Sequence, residues 1–205
     1  MKERATVRGT VIRIDSAQSH VDTPQGVFRC VLRGRLTGEK AGQKSKGQRP
    51  QRSAPAEASL AVGDEVEVVV TAAGQGAIEE VLPRRTKLSR RAVGQGKREQ
   101  IVAANVDQLV IVTALAPAPN LNLIDRYLVA ASRGGLRPVI CINKIDLGVP
   151  AELEADLAPY PALGYPVHWT SALTGAGIPE LRTQLAQVTS VLAGKSGVGK
   201  SALLT

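Results

Sequence analysis

Aromatic side chains are nearly missing from this sequence: they make up 2% of it, with one Trp, one Phe and three Tyr. Any core must therefore be assembled from Val, Leu, Ile and Ala. Stacking platforms for single-stranded nucleic acid, worth roughly 1–3 kcal/mol per base, have little material to draw on. Cysteine is scarce too. Cys30 and Cys141 lie far apart, each inside an apolar, strand-like run. That excludes a disulfide framework or a cysteine metal cluster and reads as two buried, reduced thiols. His20 and His168 are isolated and form no metal-ligand pattern. Long apolar runs are also lacking. The longest, Leu109 to Ala118, is interrupted by Thr113 and Pro117 and is too short to span a bilayer. The opening Met1-Lys2-Glu3-Arg4 is charged, unlike a secretory signal. A cytoplasmic protein with no membrane partner is the expectation.

What is present is enough for folded cores. Hydrophobic residues make up 43% of 205 positions, which excludes a disordered chain and allows two small domains, or one and most of another. The net charge is +8, and it is concentrated. Residues 33–52 carry a net +6 and residues 81–98 a net +7, so the remainder is acidic. Two basic segments favour an anionic partner; a solubilising loop and a flexible linker are the plainer explanation.

The stretch richest in chemistry is Gly194-Lys195-Ser196-Gly197-Val198-Gly199-Lys200-Ser201, followed by Ala202. Gly, four residues, then Gly-Lys-Ser fits a phosphate-binding loop. Glycine permits the backbone to approach phosphate oxygens, Lys200 supplies a point charge, and the Ser201 hydroxyl suits Mg²⁺. Val188 to Leu192 reads as the strand before the loop, and Ser201 to Thr205 as the start of the helix behind it. Upstream, Asn143-Lys144-Ile145-Asp146 follows the apolar run Val139 to Ile142. A carboxylate at Asp146 can accept from a guanine ring N–H and its exocyclic amine together, an arrangement adenine does not offer. The Lys144 stem can lie over the base, and Asn143 can hold neighbouring loops. Alone, four such residues fit a helix cap equally well. Thr170-Ser171-Ala172-Leu173-Thr174-Gly175-Ala176-Gly177 resembles the second guanine-reading loop of GTPases, with the Ala172 N–H facing the guanine oxygen.

The order of these motifs is unusual, because the base readers precede the phosphate loop. Together with Leu88-Ser89-Arg90-Arg91, Ala103-Ala104-Asn105-Val106-Asp107-Gln108 and Asp125-Arg126-Tyr127-Leu128, this order resembles the bacterial ribosome small-subunit-dependent GTPase A (RsgA) family, a circularly permuted GTPase. The resemblance covers nearly the whole chain apart from residues 38–58. It implies a cytoplasmic GTPase, GTP/GDP and Mg²⁺ as ligands, and the small ribosomal subunit and its rRNA as partners, acting as a monomer without DNA. By the same resemblance Lys200 and Ser201 are the catalytic residues, and Asn143, Lys144, Ile145, Asp146, Ser171, Ala172 and residues 194–202 hold the nucleotide.

The first 85 residues read as five short strands with Gly- and Pro-marked turns, which suits a closed barrel of the OB type; the family implies the same. Residues 38–58 are expected to be a disordered basic loop. Asp22-Thr23-Pro24-Gln25-Gly26 looks like a γ-phosphate turn but carries one residue too many and falls in the barrel. Residues 86–100 read as a basic linker, and residues 101–205 as the GTPase domain, with strands alternating with helices over Asn122–Arg133, 150–158 and Pro179–Gln187. No Asp-x-x-Gly follows the phosphate loop, and the zinc-binding C-terminal domain that the family carries has no counterpart. The GTPase domain is therefore expected to be incomplete, the sequence the front part of a longer protein, and turnover in this form negligible. Two rivals remain: a non-enzymatic RNA-binding module with a structural nucleotide half, and a P-loop ATPase or kinase, which leaves Asp146 unexplained.

Overall fold

The computed structural model describes residues 5–16, 18–33, 60–91 and 99–205; the basic loop expected at 38–58 lies outside them. The chain divides into two compact units, the first ending at Asn105 and the second running from Val106 to Thr205.

In the first unit, β1 (Thr6–Ile14), β2 (Ser19–Thr23), β3 (Gly26–Leu32), β4 (Glu65–Ala72) and β5 (Gln75–Val81) close into a barrel in the order β1-β2-β3-β5-β4. Four pairings are antiparallel, and β3 runs parallel to β5. This is the OB-type connection expected from the sequence, and closure removes the open edges of so short a sheet. Alternate residues point inward: Val11, Val21, Phe28, Cys30, Val66, Val68 and Ile78 form the core. Phe28, the chain's single phenylalanine, is buried there. The Asp22–Gly26 stretch is the β2–β3 turn, closed by Thr23 Oγ1 donating to Gly26 O at 2.7 Å.

The linker expected at 86–100 contains one strand and the start of a second. β6 (Lys87–Arg91) pairs antiparallel with β7 (Glu99–Ala104), and residues 92–98 lie outside the described part. Among its described basic residues Lys87 and Arg90 are engaged within the unit, as is Arg84 just before it. Asp64 is fully buried, and Arg84 donates to both of its oxygens at 2.6 and 2.8 Å while the Ala61 N–H donates to Oδ2 at 2.8 Å. Lys87 lies 3.1 Å from Glu99, and Arg90 Nε donates to Gln100 at 3.0 Å. A buried carboxylate must be paired, and this need draws the segment back onto the barrel's own entry turn.

In the second unit, β8 (Gln108–Ala114), β9 (Arg137–Asn143), β10 (Val167–Trp169) and β11 (Ser190–Ala193) form a parallel sheet in the order β10-β9-β8-β11. All of β8 is buried, as expected for a strand covered on both faces. Helix α1 (Leu121–Gly134) buries Ile124, Leu128 and Ala131 and packs on β8 and β9. It is capped by Asn120 and stopped by Gly135, whose φ of 71° suits glycine. After α2 (Ala151–Leu157) and α3 (Pro159–Ala162), α4 (Ile178–Leu185) sets Leu181 against Val110, Val112, Ala114, Cys141 and Val198. Both cysteines are buried and free.

α4 ends at Leu185, two residues short of the expected Gln187, and two further boundaries differ from expectation. β11 starts at Ser190, because Gln187 takes a φ of 59° and the Thr189 N–H is tied to Asp107 Oδ2 at 2.8 Å. The helix expected from Ser201 is only a turn, with Leu203 N–H donating to Gly199 O at 3.1 Å.

Candidate functional site

Four chain segments meet at the carboxyl ends of the strands, where open α/β sheets bind ligands. The phosphate loop leaves β11 at Gly194. A Cβ there would strike the Val112 carbonyl, and one at Gly199 would strike Asn143 Nδ2. Those two positions admit only glycine, and Gly199 also holds a φ of 92°. Val198, at 2% exposure, anchors the loop in the core. Lys200 Nζ donates to Gly194 O at 3.0 Å and to Lys195 O at 2.8 Å, so the ammonium spans the mouth of its own loop.

Asn143, 1% exposed, ties the segments together. Its Nδ2 donates to Val198 O at 3.0 Å, and its Oδ1 accepts from the Ala172 N–H at 3.1 Å. The sequence pointed that N–H at a guanine oxygen; here it satisfies the buried amide oxygen, which must have a donor. Lys144 adopts a left-handed φ of 65°. That turn carries its Nζ to Gly197 O at 2.7 Å and Ala116 O at 2.5 Å. Asp146 Oδ1 accepts from Ser171 Oγ at 2.5 Å, and Ser171 Oγ accepts from the Thr174 N–H at 3.1 Å. The carboxylate is thus aimed by a hydroxyl that is itself fixed. Ile145 contributes its main chain, donating to Thr170 O at 3.1 Å.

The structure therefore brings together Asn143, Lys144, Ile145, Asp146, Ser171, Ala172 and the loop from Gly194 to Ser201, as their motifs required. Ser196 and Gly197 form the turn of the loop, while the Ser201 hydroxyl and Ala202 lie exposed just beyond it. Ala116 was not foreseen. It acts through a carbonyl, which every residue carries, so no side-chain pattern could mark it. Among the described residues no cluster of His, Cys, Asp and Glu is arranged to hold a metal ion. The loop suits a phosphate chain: it is closed to a Cβ at Gly194 and Gly199, and the hydroxyl of Ser201 follows directly on the loop lysine.

Fold and site together define a circularly permuted P-loop GTPase domain that follows an OB-type barrel in the sequence. A family model described as RsgA GTPase matches residues 81–205, and the chain belongs to that family. It is 40% identical over 200 residues to the small ribosomal subunit biogenesis GTPase RsgA of Gemmatimonas aurantiaca, covering 96% of this chain and 61% of that protein. It is 49% identical over 150 residues to the protein of the same name from Azotobacter vinelandii, covering 71% and 43%. Among solved structures, YjeQ from Thermotoga maritima superposes with a TM-score of 0.70 at 33% identity, over 98% of this chain and 64% of that one. YloQ, described as a circularly permuted GTPase, gives 0.64 at 27% identity, over 98% and 63%. The chain spans about half the length of the curated relatives it matches, with 61%, 43% and 53% covered. Among the described residues no helix is long and apolar enough to cross a membrane.

Proposed function

We propose that this chain binds GTP and GDP and forms the barrel and the nucleotide-reading part of a GTP-hydrolysing factor for small ribosomal subunit biogenesis. The observation that carries this reading is the convergence of Asn143–Asp146, Ser171–Ala172 and Gly194–Ser201 around one carboxylate and one ammonium. The two oxygens of Asp146 accept from the guanine ring N–H and amine, with Ser171 holding the orientation. The Lys144 stem, pinned at its ammonium end, lies along one face of the base. Lys200 exchanges its two carbonyls for phosphate oxygens, and the main-chain N–H groups of 195–202 supply further donors. Mg²⁺ at the Ser201 hydroxyl, when bound, neutralises charge on the phosphates. Catalysis is then mostly positioning and charge stabilisation, with Lys200 and Ser201 as the contributing residues.

The names of the relatives support the small subunit as partner. We assign the rRNA contact to the barrel and its basic segments, through phosphate and shape rather than stacking, since Phe28 is inside the core. On this reading the protein works in the cytoplasm as a monomer, with residues 1–85 as the RNA-facing barrel, the β6–β7 pair continuing that unit, and residues 106–205 reading the nucleotide. Titration with fluorescent GTP and ATP tests the base assignment. Wild type prefers GTP, and Asp146→Ala loses the preference; an unchanged preference refutes it. Stimulation of hydrolysis by small ribosomal subunits in the whole protein separates the enzyme from a passive RNA-binding module.

A further inference from the structure

The two lysines of the phosphate loop are held in different ways. Lys200 is turned onto the loop, its Nζ donating to Gly194 O at 3.0 Å and to Lys195 O at 2.8 Å. Those bonds hold the Lys195 carbonyl at the loop's mouth, while Lys195 itself is exposed. It borders the cleft between the loop and the start of α1, which Pro117, Ala118, Asn120, Leu123 and Tyr127 also line. No carboxylate lines that cleft, and no ion pair among the described residues includes Lys195. A solvated lysine contributes little to the fold and would serve solubility from any part of the surface. This one stands, uncompensated, on the backbone that cradles the phosphates.

We propose that the Lys195 ammonium is an electrostatic guide that draws nucleotide phosphates into the loop, acting at a distance on capture rather than by contact on retention. The inference rests on the nucleotide reading above and adds a side-chain role at a residue that so far supplied only main-chain groups. The four-carbon stem keeps the charge inside the roughly 8–10 Å over which exposed charges act at moderate salt. Because the ammonium stays hydrated, its pull is Coulombic and grows with the charge of the ligand. Mg²⁺-GTP carries one more negative charge than Mg²⁺-GDP, so capture of the triphosphate gains more. GTP and ATP carry the same phosphate charge, so the choice of base stays with Asp146. A charge of this kind sets association rate and salt dependence, whereas Lys200, which bonds the phosphates directly on that reading, governs dissociation.

Stopped-flow mixing of fluorescent GTP, GDP and ATP with the whole protein in Mg²⁺, at low and high salt, reads both rates. At low salt Lys195→Gln slows GTP association about three- to fivefold and GDP association about twofold, for two and one net ligand charges acting across about 8 Å of water. Lys195→Glu slows GTP capture about tenfold, and Lys195→Arg keeps the wild-type rate. Dissociation rates and the ratio of GTP to ATP affinity stay as in wild type. The variants converge on wild type at about 1 M salt, where the screening length is about 3 Å. Arg133→Gln removes an equal charge from the last turn of α1, about 20 Å along the helix from Asn120, and changes neither rate. Unchanged low-salt association of GTP in Lys195→Gln overturns the proposal. So does a loss that persists at high salt or shows as faster dissociation, since either marks direct contact or a distorted loop. If wild type binds no GTP, the underlying reading fails; if wild type binds and Lys195→Gln matches it, the guide alone fails.

Discussion

In the barrel-bearing unit, cations meet carboxylates: Arg8 meets Glu67, Arg13 meets Asp15, Arg33 meets Glu79, and Arg84 meets Asp64. In the second unit, Lys144 and Lys200 meet main-chain carbonyls instead. A carboxylate cancels a charge, whereas a carbonyl dipole only orients it. The first arrangement settles a charge within the fold; the second holds it in place with its full value available to an anionic ligand. Three of the four barrel pairs are exposed and contribute little. The fourth is the place to break the pattern.

Asp64→Ala carries the largest expected effect. Arg84 would keep its charge in a site where its side chain is 11% exposed and its partner 0%. The Ala61 N–H would lose its acceptor as well. Removing one member of a buried pair costs about 3–5 kcal/mol, read as a loss of barrel stability in denaturant titration followed by circular dichroism. A cost below about 1 kcal/mol would mean that the pair does not staple the segment after β5 to the entry of β4.

Lys200→Ala is the opposite case. Its two carbonyl partners return to water, so stability changes by less than about 1 kcal/mol. Nucleotide affinity falls about a hundredfold, as two charge-assisted hydrogen bonds at about 1.5 kcal/mol each are lost. Equal losses of stability and affinity would erase the distinction between settled and available charge. Ser171→Ala is milder. It frees the Asp146 carboxylate to rotate and lowers the preference for GTP over ATP about tenfold, for one hydrogen bond to a charged group. Comparing the two nucleotide titrations measures it directly.

The barrel was legible in the sequence because period-two alternation and Gly-marked turns are local signals: Val66 and Val68 point inward from a strand entered through Gly63-Asp64. The site was legible because its residue types are rare in combination. The β6–β7 pair was not. In Lys87-Leu88-Ser89-Arg90-Arg91 only Leu88 is apolar, and a strand with one buried anchor looks like a linker. What fixes it, Glu99 and Gln100 of β7, lies across residues 92–98 along the chain. The carbonyl contacts of Lys144 and Lys200 were equally invisible, since main-chain oxygens leave no trace in residue identity.

Alkaline titration sharpens the comparison with the smallest effect. Burial pushes the Cys30 thiol of the barrel and the Cys141 thiol of the nucleotide unit up to about 11 from an ordinary value near 9. Burial, with Asp125 accepting from the phenol at 2.9 Å, raises Tyr160 to about 12 from near 10. Each group keeps its proton longer in the folded state than in the unfolded one. The stability linked to it is intact below the unfolded value and declines as pH rises toward the folded one. Both units therefore weaken between about pH 9 and 11, and Tyr160 prolongs the decline to about 12 in the nucleotide unit alone. Trp169, the only tryptophan of the chain, sits in β10 and makes fluorescence a reporter of that unit by itself. Tyr160→Phe should flatten the fluorescence-detected loss between pH 10 and 12. Unaltered steepness in that variant would mean that the phenol's burial against Asp125 has no part in it.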